Sequence, residues 1–259
     1  MRLALRLIPF FGIFSIIFYF IRTSDLYHSK VLLADIGGIP WLYAVIGTIF
    51  GVLAAFAIQK QWEKWDTLDN AVRDEADGLE KLYLWSNNFP KKIKRKIHSH
   101  IEKYLQLIVR EGWLHSEKGE RSPELEAIIA DLNNAIYEIF DEAPQLMPTS
   151  FALLSSILNH RSLRLHHSAE HMPPLLKNTV QFAAFLLIGL SFFIGIKSAW
   201  LDFLFTASVG SLAFSIFVVL RDLDNPLQPG NWHITTEAYT VLLKKISQEK
   251  ITTRVTDED

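Results

Sequence analysis

Four apolar runs decide what this chain can fold into: Leu7–Ile21, Trp41–Ile58, Asn178–Ile196 and Leu201–Leu220. A hydrocarbon core ~30 Å thick takes about 20 helical residues carrying few charges, and each run is of that order. Apolar residues make up 49% of the 259, and the four runs hold the excess; the segments between them are as charged as a soluble helical protein. The first run is short, but Arg6 and Arg22 bracket it and can reach the headgroups from either end. No small-x-small cleavage site follows Ile21, so the run is expected to be a retained helix rather than a secretory signal. Lys197–Trp200 is expected to be a tight turn, making the last two runs an antiparallel hairpin.

Basic residues give the orientation. With four crossings, Arg2, Arg6, Lys60, Lys64, Arg73, Arg161, Arg164, Lys177 and Arg221 fall on one side, and Arg22, Lys30 and Lys197 on the other. The positive-inside rule then places both termini and the long middle segment in the cytoplasm, with the loop Thr23–Pro40 facing outward. The expected fold is an all-α integral membrane protein. Residues 1–59 form a first transmembrane hairpin, 60–176 a helical cytoplasmic domain continuous with the second span, 177–220 a second hairpin, and 221–259 a cytoplasmic C-terminal segment.

The insertion reads as helical throughout. Trp62, Trp65, Leu68, Val72, Ala76, Leu79 and Tyr83 form one stripe leading out of the second span and stopping near Asn87-Asn88 and Pro90. Ile93, Ile97, Ile101, Tyr104 and Ile108 mark a second helix that ends at Gly112. Ser122 and Pro123 open a third, which buries Leu125, Ile128, Leu132, Ile136 and Ile139 and stops before Pro144. A fourth runs from about Pro148 through Leu154, Ile157 and Leu165 to Pro173-Pro174. Four such helices make a bundle-like domain. Thr252–Asp259 reads as a frayed polar tail.

Several clusters carry chemical options. Gly47, Gly51 and Ala55 in the second span and Ala207, Ser211 and Ser215 in the fourth are spaced by four, which lets helix backbones approach closely in lipid; packing is the simpler reading and pore lining the alternative. Lys91, Lys92, Lys94, Arg95 and Lys96 read as a solvated helix face, with contact to anionic lipid as the alternative; aromatics do not interleave with them, which argues against nucleic acid. His160, Arg164, His167 and His171 fall on one helical face. His167 and His171 have a metal-compatible spacing, but no third ligand is evident and an arginine shares the face, so a structural or pH-sensitive role is favoured over metal. In an oligomer Arg161, Arg164, His167 and His171 would form a basic vestibule that concentrates anions. Asp222, Asp224 and Asn225 follow the fourth span; pairing with Arg161, Arg164 or Arg221 is favoured over a cation site. Cysteine is absent, and no nucleophile-base pair, phosphate loop, dinucleotide fingerprint or HExxH motif occurs, so neither an enzyme nor a cofactor is expected.

Three stretches together resemble one family. Trp62, Trp65, Ala71, Glu75, Ala76, Leu79 and Leu82-Tyr83 resemble the helix leaving the second span of the bestrophin-like membrane proteins, a mostly bacterial group. Arg161, Arg164-Leu165 and Pro173-Pro174 are similar to its approach to the third span, and Asp222-Leu223-Asp224-Asn225-Pro226 with Gly230 to its departure from the fourth. The resemblance implies four spans in a bacterial inner membrane, a helical cytosolic domain and kinship with bestrophins, which are oligomeric anion channels, usually pentameric. The acidic run after Asp224 is too short for the calcium clasp of animal bestrophins. Ile46, Ile49, Phe50 and Leu53 are the candidate pore-lining residues. The resulting expectation is a homo-oligomeric channel for small anions in contact with membrane lipid. The rival is a non-conducting scaffold or sensor whose helical domain binds a partner or anionic lipid.

Overall fold

Three of the four expected apolar runs lie inside a helix, and the third does so as far as Ser191. The structure, a computed structural model, describes residues 2–24, 38–113, 120–194, 196 and 198–258, and among these the regular elements are all helical. They are α1 (Arg2–Thr23), α2 (Gly38–Trp85), α3 (Lys91–Glu111), α4 (Pro123–Tyr137), the short α5 (Ile139–Glu142), α6 (Met147–Ala169), α7 (Pro174–Ser191), α8 (Ala199–Asp224) and α9 (Glu237–Glu258). By length and composition α2, α7 and α8 can each cross a membrane, while α1 holds a shorter apolar stretch, Phe11–Ile21. Most of the loop expected between the first two runs, including Lys30, lies outside the described residues, as does Lys197 in the expected tight turn. The third run stops being helical at Ser191, earlier than Ile196, and the fourth continues past Leu220 to Asp224.

The chain packs as two compact units. The first comprises Met1–Glu63, His171–Asn225 and Gly230–Trp232. In it α8 packs against both α7 and α1. Phe50, Ala54 and Ala57 of α2 are buried with Val180, Ala183, Ala184 and Leu187 of α7 and Ala213 of α8. Alanines at these contacts let the backbones come close, which matters where lipid gives apolar surfaces no reason to associate. A second cluster is aromatic: Phe14 stacks on Phe192 with ring centres 5.5 Å apart, and Phe18 meets Phe203 edge-on at 5.3 Å.

The second unit comprises Lys64–Glu170, Pro226–Pro229 and His233–Asp259. Its core is the periodic set expected from the sequence. Leu68, Val72, Ala76 and Leu79 of α2 join Ile93, Ile97, Ile101 and Ile108 of α3, Leu132 and Ile136 of α4, and Leu154 and Ile157 of α6. The stops are chemical. Gly112 closes α3 with a φ of 59°, a left-handed cap that glycine adopts without strain, and its N–H bonds to the Ile108 carbonyl at 2.9 Å. Ser122 caps α4 ahead of Pro123, and Pro174 occupies the first turn of α7.

One expectation fails at the C-terminus. Thr252–Glu258 is not a frayed tail but the end of α9; Asp259 lies outside the described residues. Tyr239, Leu242 and Ile246 recur at helical spacing and are buried in the second unit's core, and α9 packs on α3. With the helix nucleated and anchored there, each further residue adds a backbone hydrogen bond at little cost.

Gly78 marks a close helix crossing in this unit. A Cβ built there would come within 2.8 Å of Ile157 Cγ1 and 3.8 Å of its Cα. Gly78→Ala is expected to lower stability by about 1–3 kcal/mol, the usual cost of overpacking. Chemical unfolding of the full chain in detergent measures this, and adding Ile157→Ala should recover part of the loss if the clash is the cause.

Candidate pore face and membrane-exit clamp

At 3.6 residues per turn α2 presents two different faces within the first unit. Phe50 points into the unit's own core and is 3% exposed, with Ile46, Leu53 and Ile58 packed at its margins. Opposite it Val45 and Ile49 are each 52% exposed and Val52 66%. The four expected pore-lining residues therefore divide: Ile49 lies on the open face, Ile46 and Leu53 at its borders, and Phe50 behind it. The small residues divide as well. A Cβ at Gly47 would sit 3.5 Å from Leu187 Cδ1, so this glycine packs within the unit, whereas a Cβ at Gly51 meets nothing within 4 Å. Ala55 is exposed. On α8 Ala207 is buried in the aromatic cluster, and the hydroxyls of Ser211 and Ser215 donate back to the carbonyls of Ala207 and Ser211.

The open face of α2 differs in composition from those of its neighbours. It carries Val45, Thr48, Ile49, Gly51, Val52 and Ala55, with Trp41, Leu42 and Phe56 toward its ends. The large exposed residues of α7 are Leu175, Phe182, Phe185 and Leu186, and those of α8 include Leu204, Phe205 and Leu212. Bulky side chains suit acyl chains; a face of small and β-branched residues, one of them a hydroxyl, suits another helix or a narrow lumen.

The acidic motif in the last turn of α8 clamps neighbouring chain within the first unit. The Met172 N–H donates to Asp224 Oδ1 at 2.6 Å, and Lys177 Nζ stands 3.8 Å from Asp224 Oδ2. The Asn231 N–H donates to Asp222 Oδ2 at 3.2 Å. A Cβ at Gly230 would lie only 3.3 Å from Asp222 Cγ, so glycine lets the chain fold over that carboxylate. Asn225 donates to the Arg221 carbonyl. Each carboxylate thus holds a backbone amide, a partner that the sequence reading did not include. Arg161 and Arg164 are engaged inside the second unit instead.

There Arg164 Nε donates to Glu75 Oε2 at 2.7 Å, with side chains 2% and 0% exposed. Tyr104 Oη donates to the other carboxylate oxygen. The Arg164 guanidinium carbon lies 5.6 Å from the Trp113 ring centre, a cation–π distance, and Trp113 Nε1 donates to the Ile234 carbonyl at 2.8 Å. Burial opposes the guanidinium's charge, yet the Glu75 carboxylate holds Arg164 well above its ordinary range. Burial, and then Glu75, push the Tyr104 phenol up. Arg161, also buried, donates to Glu126 at 2.9 Å.

Of the residues expected to form a basic vestibule, Arg161 and Arg164 each pair with a carboxylate of their own unit. Because α6 ends at Ala169, His171 does not continue the face that carries His167. Sequence reasoning also missed Glu75 as Arg164's partner. The signal was there: Leu154, Ile157, Arg161 and Arg164 lie on one face of α6, and cations on a core face demand acids on a facing helix.

A model of the bestrophin-like domain matches residues 9–239. The chain belongs to the bestrophin-like family. Its fold agrees: a variant crystal structure of a bacterial bestrophin homologue from Klebsiella pneumoniae superimposes with a TM-score of 0.68 at 10% identity, covering 85% of this chain and 96% of that one. A second structure of the Klebsiella pneumoniae homologue gives 0.65 at 11% identity, over 85% and 95%. A third, of a membrane protein, gives 0.67 at 9%, over 85% and 95%. No curated protein matches the sequence. At these identities the likeness is one of fold, and the resemblance read from three short stretches extends over most of this bestrophin-like chain.

Two outcomes test the site. Asp224→Ala leaves the Met172 amide without its acceptor and should cost about 1–3 kcal/mol, read by thermal unfolding in detergent. Glu75→Leu and Arg164→Leu should each cost about 3–5 kcal/mol by stranding a buried charge, while the double variant should lose clearly less than their sum. Additive losses would show that the pair is not coupled.

Proposed function

We propose that the chain is one subunit of an oligomeric, anion-permeable channel in a bacterial plasma membrane, lined by the open face of α2. In this reading α1, α2, α7 and α8 supply four crossings, and both termini and the segment between the second and third spans lie in the cytoplasm, as the distribution of basic residues favours. The observation that carries the proposal is the uncovered stripe of Val45, Ile49 and Val52 on a helix whose opposite side is packed. Ile46 and Leu53 border the lining and Phe50 buttresses it from behind. Repeated around an axis, such a stripe forms a hydrophobic constriction that gates by dewetting. Membership of the bestrophin-like family supports the same reading, and a homopentamer is the assembly that kinship with bestrophins favours.

A second reading, a scaffold or sensor for anionic lipid, is favoured by Lys91, Lys92 and Arg95, exposed at the start of α3. Lys96 belongs less to that surface, since it pairs with Glu138 at 2.5 Å.

Proteoliposome flux separates the two. Purified protein should pass chloride in preference to potassium. Val52→Ala should raise the rate, Val52→Trp should block it, and Phe185→Ala, on a bulky face, should leave it unchanged. Intact oligomers that stay silent, or equal responses at Val52 and Phe185, would overturn the channel reading.

A further inference from the structure

The sequence raised two objections to a metal site in the histidine-rich end of α6: it offered no third ligand, and Arg164 stood on the same face. The geometry removes both. Helix α6 stops at Ala169, and Glu170 takes an extended conformation with φ −77° and ψ 132°. Lys64 donates to the Glu170 backbone carbonyl and so fixes the residue that leaves the helix. The departure turns the Glu170 carboxylate back onto His167, with Oε2 2.9 Å from Nδ1. The ring of His166 lies 5.1 Å from that of His167, centre to centre. Ligand atoms of His166, His167 and Glu170 all come within 4.8 Å of one another. Arg164, for its part, is buried and neutralised by Glu75 at 2.7 Å.

We propose that His166, His167 and Glu170 form a binding site for a divalent transition metal of the zinc class. Two imidazoles and a carboxylate are the donor set that zinc, cobalt and nickel take with one or more coordination positions left to water. Bonds of ~2.0–2.2 Å in a tetrahedron put ligand atoms about 3.4 Å apart. Reaching that spacing asks the His167–Glu170 contact to open by about half an ångström and His166 to swing inward. His166 and Glu170 are exposed, so neither movement disturbs packing. The final carbonyls of a helix carry the negative end of its dipole and favour a cation there, while the Lys64 ammonium on the Glu170 carbonyl opposes it. His160, earlier on the same helix, has one carboxylate near it, Asp74 at 3.6 Å, and belongs to no group of three ligands among the described residues. The site is separate from the α2 face and does not depend on conduction.

The test uses the full chain in detergent, made without a polyhistidine tag, and the metal alone. Zinc titrated calorimetrically at a pH of ~7.5, above the ordinary imidazole pKa, should bind one ion per chain, and cobalt should show the visible bands of a low-coordinate complex. His167→Ala and Glu170→Gln should each weaken zinc binding at least about tenfold, since losing even an outer-shell partner costs that much. His166→Ala should do likewise, and His160→Ala should leave the affinity unchanged. Thermal unfolding of each variant without metal confirms that the exposed substitutions leave the fold intact. Stoichiometric zinc binding that survives His166→Ala, His167→Ala and Glu170→Gln, or no binding by the unaltered chain, would overturn the proposal and leave His167–Glu170 as a simple charge-assisted pair.

Discussion

Burying Glu75 against Arg164 takes two charges out of water, and the second unit is arranged so that neither is left uncompensated. The carboxylate has one oxygen on the Arg164 Nε and the other on the Tyr104 hydroxyl, while the guanidinium lies over the Trp113 ring. Each partner comes from a different stretch of chain: α2, α3, the segment just after α3, and α6. Trp113 in turn bonds to Ile234, ahead of α9. A helical core of isoleucines and leucines tolerates sliding by a turn at modest cost, because one apolar contact replaces another. A buried ion pair does not, since a slip strands a charge. The pair thus acts as a registration mark for a core that is otherwise greasy and repetitive.

Much of the architecture was legible because the physics that fixes it is local. Apolar runs of membrane length, the Ser122-Pro123 start, the Gly112 stop and the Ile93–Ile108 stripe each state their structure within a few residues. The C-terminal helix was legible too, in Ala238, Tyr239, Leu242 and Ile246, but its polar last turns read like a tail when the anchored first turns were overlooked. What the sequence could not show is which face of a periodic helix meets which neighbour. Phe50 and Val52 are two residues apart and equally apolar, yet one is core and the other is surface.

The same limit governs the polar sites. Arg164 was noticed as a charge near histidines, and its acid partner stands 89 positions away in the chain. Glu170 was not named as a ligand, because the helix was expected to run on to Pro173-Pro174, and it is the stop at Ala169 that sets the Glu170 carboxylate beside His167. Asp222 and Asp224 were expected to seek arginines, but free backbone amides beside a membrane helix are an equal need. The charge balance was foreseeable and the donors were not.

The Asp224–Met172 hydrogen bond also alters the connectivity of the α7–α8 pair. It joins two points 52 positions apart in the chain, one just before α7 and one at the end of α8. Those helices are already linked at their other ends by the chain between Ser191 and Ala199. Covalent chain and hydrogen bond together make a ring, which pays its closure entropy once and then resists splaying from either end. A ring of this kind couples its two ends: the segment that enters it is held to the segment that leaves for as long as the hydrogen bond stands.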